Sequence, residues 1–266
     1  MLFLLLATRA QAAAGGLPWP TMTSSTSAQG LRRSVDLFKA FRVEQTDPDR
    51  FYGLLARDSV ELVGHYGSVD GKVVLDVGGG PGYYARAFRG AGATYVSLDS
   101  ELAELAARQP PGPGSVLGDA LALPFRSASV DVCWSSNLLE HVSEPWRMCE
   151  ELVRVTRPGG LVMIAFTNWL SPWGGHETSP WHYLGGHRAA RRYERQHGHR
   201  PKNVFGESLF PVSVGSALRW ARSCHDVRIV DARPRYYPAP VRGILRVPGL
   251  REVVTWNLLL VLRRRD

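Results

Sequence analysis

The run Asp76-Val77-Gly78-Gly79-Gly80-Pro81-Gly82 sets a carboxylate two residues ahead of a glycine-rich turn, directly after the β-branched stretch Val73–Val77. Glycines there allow a tight turn and let a ligand approach the backbone with no Cβ in the way. The spacing is GxGxG, and Tyr83 stands where a dinucleotide fingerprint needs its third glycine. A carboxylate at Asp76 would repel a pyrophosphate but suits a ligand carrying ammonium and sulfonium charge. Asp99 closes a second run, Tyr95–Asp99, where its carboxylate could accept from both hydroxyls of a ribose or cap the helix expected from Glu101. Asp119, in Gly118-Asp119-Ala120 ahead of Leu123-Pro124-Phe125, could accept from an adenine amino group while its apolar neighbours pack the ring.

These residues need a scaffold that gathers strand ends. Helical apolar spacing covers Arg32–Phe41 and Asp49–Tyr66, the second after a Thr46-Asp47-Pro48 start signal. Strands are expected at Val73–Val77, Thr94–Leu98, Ser115–Leu117, Val130–Ser135 and Leu161–Phe166. Helices lie between them at Tyr83–Arg89, from Glu101, after Leu138 and at Trp146–Val155. Arg157-Pro158-Gly159-Gly160 reads as a turn. Later come a helix at Gly215–Ser223 and strand-like runs at Asp226–Ala232 and Glu252–Leu262. Strands alternating with helices argue for a parallel α/β sheet with helices on both faces.

The ordered series VVLDVGGGPG, SLDS, GDALALPF, VDVCWSSNLLEHV and LVRVTRPGGLVMIAF resembles the class I S-adenosylmethionine (SAM)-dependent methyltransferases of the small-molecule type, over about residues 72–167. The resemblance implies a Rossmann-like, seven-stranded, mostly parallel sheet whose last strand is antiparallel. It implies SAM contacts from Asp76, Gly78, Gly79, Gly80 and Gly82, from Asp99 with Ser100, from Asp119 and Ala120, and from Ser136 and Asn137. His141 would sit at the cofactor edge, as a base or as a helix-start histidine that satisfies nearby backbone.

Methyl transfer is an in-line displacement, for which an enzyme supplies alignment, exclusion of water and a proton sink. The irregular segment of about residues 167–214 follows the fifth strand, holds five of the eight histidines, and is where the acceptor is expected. Trp169, Trp173, Trp181 and Tyr183 could wall an apolar pocket or form a satellite core. His176 and His182 are the base candidates, with His141; Glu177 joins Trp173, Trp181, Arg188 and Arg192 as a substrate-binding candidate. Arg188, Arg191, Arg192 and Arg195 fall at i, i+3, i+4 and i+7, aligning them on one helix face as an anion clamp or a solvated face. The spacing of His176, Glu177, His182 and His187 fits no helical HExxH pattern, so no metal is expected.

Composition sets the frame. The 266 residues carry a net charge of +8, but Lys+Arg and Asp+Glu number 15 and 17 through residue 168 and 17 and 7 beyond it. The basic C-terminal part suggests an anionic small-molecule or lipid-linked acceptor, though 29 of the 32 basic residues are Arg, as in a GC-rich genome. RNA methylation is the alternative reading, without an RRM, KH or dsRBD pattern to support it; DNA is not expected, and no protein partner can be inferred. The Tyr236–Arg251 loop mixes aromatic, aliphatic and Arg residues and could rest on a membrane surface. Three scattered cysteines suggest buried, reduced thiols and a cytoplasmic protein, at most at the inner face of the membrane. Met1–Ala14 looks superficially like a signal peptide but lacks a basic start, and Met22 is a plausible initiator. Residues 1–30 are read as a disordered or mis-assigned extension to one catalytic domain, 31–266.

Overall fold

A computed structural model describes residues 27–43, 46–108 and 110–266. The expected extension lies outside the described residues as far as residue 26, and residues 27–30 open the first helix, α1 (Ser27–Phe41). Helix α2 (Pro48–Tyr66) starts as its sequence predicts: the Asp47 side chain accepts from the Arg50 backbone N–H at 3.1 Å, and Pro48 occupies a position whose missing N–H costs nothing.

Seven strands follow: β1 (Val73–Val77), β2 (Thr94–Asp99), β3 (Ser115–Leu117), β4 (Val130–Ser136), β5 (Thr156–Thr167), β6 (Val227–Pro234) and β7 (Asn257–Arg264). They form one sheet in the order β3-β2-β1-β4-β5-β7-β6, in which β7 runs antiparallel to both neighbours and the β1–β5 pairings are parallel. This is the Rossmann-like sheet that the motif series implies. The helices α3 (Ala85–Gly90), α4 (Leu102–Leu105), α5 (Pro145–Val155), α6 (Gly186–His197), α7 (Val214–Ser223) and α8 (Leu250–Val254) complete the α-helices among the described residues.

Period-two alternation divides the strands between two cores. Cys133, Val162 and Ile164 pack with Met148 and Leu152 of α5 and Leu218 of α7 on one face. Val132, Trp134, Met163 and Ala165 pack with Leu55 and Val63 of α2 and Phe88 of α3 on the other. Cys133 and Cys149 are buried free thiols, and Cys224 is partly exposed.

Two local expectations are corrected. Arg157–Gly160 is not a turn ahead of the strand; it is an irregularity inside β5, where pairing with β4 jumps from Val130–Thr156 to Val132–Leu161. Gly159 supplies a left-handed φ of 73°, and at Gly160 a Cβ would meet the Asp131 carbonyl at 2.7 Å, so the strand carries its excess residues only with glycines there. Residues 252–254 are helical rather than extended, and β7 starts at Asn257. The Glu252 carboxylate accepts from the Val214 and Gly215 N–H groups at 2.8 Å each, closing the N-terminus of α7 with a charge that favours that end of a helix.

Candidate active site

The turn after β1 brings the sheet's carboxyl edge into a cradle. Gly78, Gly80 and Gly82 have φ of 79°, 49° and 78°, which side-chain-bearing residues rarely adopt. Gly79 has an ordinary φ but no room: a Cβ would stand 2.2 Å from Ser97 Oγ and 3.1 Å from Asp76 Oδ2. The Gly78 and Gly79 N–H groups donate to the Leu98 carbonyl, and the Gly80 N–H donates to Asp99 Oδ2 at 3.1 Å. The other Asp99 oxygen accepts from the N–H of Glu101, which is itself the N-cap of α4, so Asp99 closes the turn ahead of the helix and does not cap it. Asp119 Oδ1 accepts from the Leu121 N–H at 2.8 Å, and Ala120 is buried beside it. Ser100 is exposed at the end of β2.

Asp76 is 1% exposed and accepts from the Tyr95 hydroxyl. Burial pushes its carboxyl up from 3.8 to about 7; the Tyr95 hydrogen bond opposes this, nearby Asp99 adds to it, and Arg235 opposes it. A buried carboxylate without a full counter-charge is a ready partner for a cationic ligand. Ser97 Oγ, buried against the same glycine, has no hydrogen-bond partner.

At the end of β4, Ser136 Oγ receives the Arg235 guanidinium at 2.7 Å and faces the Tyr84 hydroxyl at 3.3 Å. Asn137 adopts a φ of 57°, donates its backbone N–H to Ala165, and its Oδ1 accepts from the Asn257 amide. Arg235 was not among the residues singled out in the sequence. It is 1% exposed, its second Nη donates to Ser59 of α2, and its Nε has no partner. The guanidinium lies near the Trp134 and Tyr236 rings, at 5.1 and 5.4 Å to their centroids. Nothing in the spacing of Arg233-Pro234-Arg235 distinguishes this buried cation from the many exposed arginines; only the fold does.

The insertion splits the candidates it supplies. His141 Nδ1 lies 2.7 Å from the Ser208 carbonyl, the backbone-satisfying alternative. His176 lies with its ring centroid 5.0 Å from that of His141, and burial, followed by the charges of His141 and His182, pushes its imidazole down to about 3. His182 is 1% exposed, Nε2 bonded to the Ser171 carbonyl and the ring pressed on Gly175. Glu177 is exposed and accepts from the Asn203 amide.

The aromatic residues are likewise divided. Trp173 packs on Trp256, Phe38 and Phe41; Trp169 packs on His182 and Phe205. Trp181 lies under the Arg192 guanidinium at 4.0 Å, and Tyr183 donates to the Leu170 carbonyl. The four arginines of α6 are helical and exposed, with Ala189 and Gly186 as the buried face.

A family model described as a methyltransferase domain matches residues 75–164. An uncharacterized methyltransferase of Mycolicibacterium gilvum is 53% identical over 243 residues, covering 88% of this chain and 94% of its own length. Another from Mycobacteroides abscessus is 50% identical over 248 residues, covering 88% and 95%. Among solved structures, an S-adenosylmethionine dependent methyltransferase from Mesorhizobium loti shares the fold with a TM-score of 0.52 and 20% identity, over 74% of this chain and 93% of that one. A SAM-dependent methyltransferase from Methanosarcina mazei does so at 0.50 and 18%, over 77% and 97%.

Proposed function

The chain belongs to the methyltransferases of the class I, Rossmann-like fold, and on that premise we propose that it moves a methyl group from SAM to a small-molecule or lipid-linked acceptor bearing an anionic group. The observation that carries the reading is the joining of Asp76, Asp99 and the glycine turn at one end of β1 and β2. The residues fit SAM: a glycine turn left open at Gly80, where a Cβ would meet nothing within 4 Å, an unpartnered buried Ser97 hydroxyl, and a buried carboxyl awaiting positive charge. When bound, SAM supplies a methyl group on a positively charged sulfur.

The protein's part is alignment and solvent exclusion. Asp76 holds the ammonium end, Asp99 takes the ribose hydroxyls with Ser100 beside it, and Asp119 with Ala120 receives the adenine. Ser136 and Asn137, braced by Arg235 and Asn257, close the cofactor edge toward the insertion. His141, just beyond β4, and His176 and His182 of the insertion are the candidate proton acceptors. Trp173, Trp181 and Glu177 are the candidate acceptor contacts, with Arg188 and Arg192 for its anionic group.

Two surface features support an apolar, anionic acceptor. Leu31, Val35 and Phe38 are exposed along one side of α1, and Phe38 touches Trp173 and Trp256. Gly30 lies against Pro238, so this apolar side adjoins the segment holding Arg242, Arg246 and exposed Leu250. That combination suits the surface of an anionic membrane. No helix among the described residues is long and apolar enough to cross one.

The test is transfer of labelled methyl from SAM into a host-cell extract, then split into organic-soluble, aqueous small-molecule and RNA fractions. Label in the organic fraction is the expected result for a lipid-linked acceptor, and label in water-soluble metabolites would move the reading to a free small molecule. Label confined to RNA would replace it with RNA methylation.

A further inference from the structure

Beyond the cofactor cradle, three side chains that form no metal-binding pattern in sequence converge in the fold. Glu140, His141 and His176 each offer one ligating atom, and the three atoms lie within 4.8 Å of one another. Glu140 and His141 belong to a 3-10 turn (Leu139–His141) just beyond the end of β4; His176 opens another (His176–Thr178) inside the insertion. Thirty-four residues separate His141 from His176, so only folding brings them together. Of the earlier candidate set, Glu177 points to Asn203, and His182 to the Ser171 carbonyl.

The electron pairs are left open in a consistent way. Glu140 is 1% exposed; its Oε1 accepts from the Thr167 N–H at 2.8 Å while Oε2 is buried without a partner. His176 Nε2 is also buried without a partner. His141 Nδ1 stands 2.7 Å from a carbonyl oxygen and must therefore carry the proton there, which leaves the Nε2 lone pair free. Buried polar atoms rarely stay unpaired. Here a carboxylate oxygen and the His176 nitrogen are buried and unpaired beside the His141 lone pair, with the carboxylate and His141 oriented from behind by backbone groups, the arrangement that outer-shell partners give to metal ligands.

We propose that Glu140, His141 and His176 bind one divalent first-row transition ion at the carboxyl edge of β4 and β5. Two imidazoles and one carboxylate suit zinc, iron, cobalt or manganese far better than the all-oxygen preference of calcium or magnesium. Metal–ligand bonds of about 2.0–2.2 Å put ligand atoms about 3.4 Å apart in a tetrahedral set, so the trio needs at most a modest closure. Three protein ligands leave a fourth position open, and an acceptor oxygen would bind there. The acceptor would then be a hydroxyl or carboxylate compound, an assignment that rests on the methyl-transfer reading, whereas the metal site does not.

The experiment titrates the metal-stripped full-length protein with Co(II), read by its visible absorption, and with Zn(II) by calorimetry, while SAM affinity is measured separately on every sample. The expected result is one ion per chain. His176→Asn, which tolerates the left-handed backbone at that position (φ 49°), should weaken it by more than the about 10- to 100-fold typical of losing an outer-shell partner. His141→Gln, whose amide can still donate to Ser208, should do the same, and exposed His225→Ala should leave ion binding unchanged. Unaltered SAM affinity in His176→Asn would show that the loss belongs to the ion site. Wild-type protein that binds SAM but no stoichiometric ion would overturn the proposal, as would equal ion binding by both ligand variants. Ion binding without SAM binding would uphold the site and count against the methyl-transfer reading instead.

Discussion

Replacing Asp76 with Asn should make the ligand-free protein more stable and a poorer SAM binder. The carboxyl ionises near 3.8 in an ordinary setting and near 7 when buried in the fold. Between those values the folded state keeps a proton that the unfolded chain has lost, so stability falls as pH rises through that window. A separation of about three pH units, at 1.36 kcal/mol each, amounts to about 4 kcal/mol by pH 7. Asn has the same shape, carries no charge, and can still accept from the Tyr95 hydroxyl. The advantage of Asp76→Asn should therefore grow from about 2 kcal/mol at pH 5 to about 4 kcal/mol at pH 8, as upper bounds. SAM affinity should drop about 10- to 100-fold, the loss of one charge-assisted contact. Urea melts from pH 5 to 8 measure the first quantity and calorimetry the second. A stability difference that is flat across this range, or a variant less stable than wild type at pH 8, would refute a buried carboxylate in want of a counter-charge.

Three further outcomes follow from the geometry. Asp99→Ala should abolish measurable SAM binding in calorimetry while urea melts change by less than about 1 kcal/mol, because the bonds to Gly80 and Glu101 are lost at a partly exposed site. Gly160→Ala should cost at least about 2 kcal/mol in the same melts, since its Cβ would sit 2.7 Å and 2.8 Å from two backbone carbonyl oxygens that cannot step aside. Glu252→Gln removes a charge that accepts two N–H groups of α7, so a loss of about 1–2 kcal/mol is expected, checked as a lowered melting temperature.

The local chemistry of this chain was legible wherever function depends on neighbours in sequence. The glycine turn needs backbone freedom and close approach, so its residues announce themselves, and Asp76, Asp99 and Asp119 follow because each falls at or just past the end of a strand. Short β-branched and apolar runs, as expected of buried parallel strands, likewise make β1, β2 and β4 readable, and the motif order implies the sheet that the topology displays. Helix α8 and the irregularity inside β5 were misread for a shared reason. Each is set by contacts with distant backbone, Glu252 with the start of α7 and Gly160 with Asp131.

The insertion was readable only as a list of capable residues. Its histidines looked alike in sequence. In the fold His182 sets its Nε2 on the Ser171 carbonyl and lies apart from the other two, while His176 joins Glu140 and His141. Arg235 could not be told from the other arginines until β6 carried it under α2 to meet Ser59 and Ser136. Sequence determines what a side chain is able to do and, at tight turns, where it must do it. Which lone pairs and charges are left unsatisfied depends on burial and on partners tens of residues away, and that was decided by the tertiary structure alone.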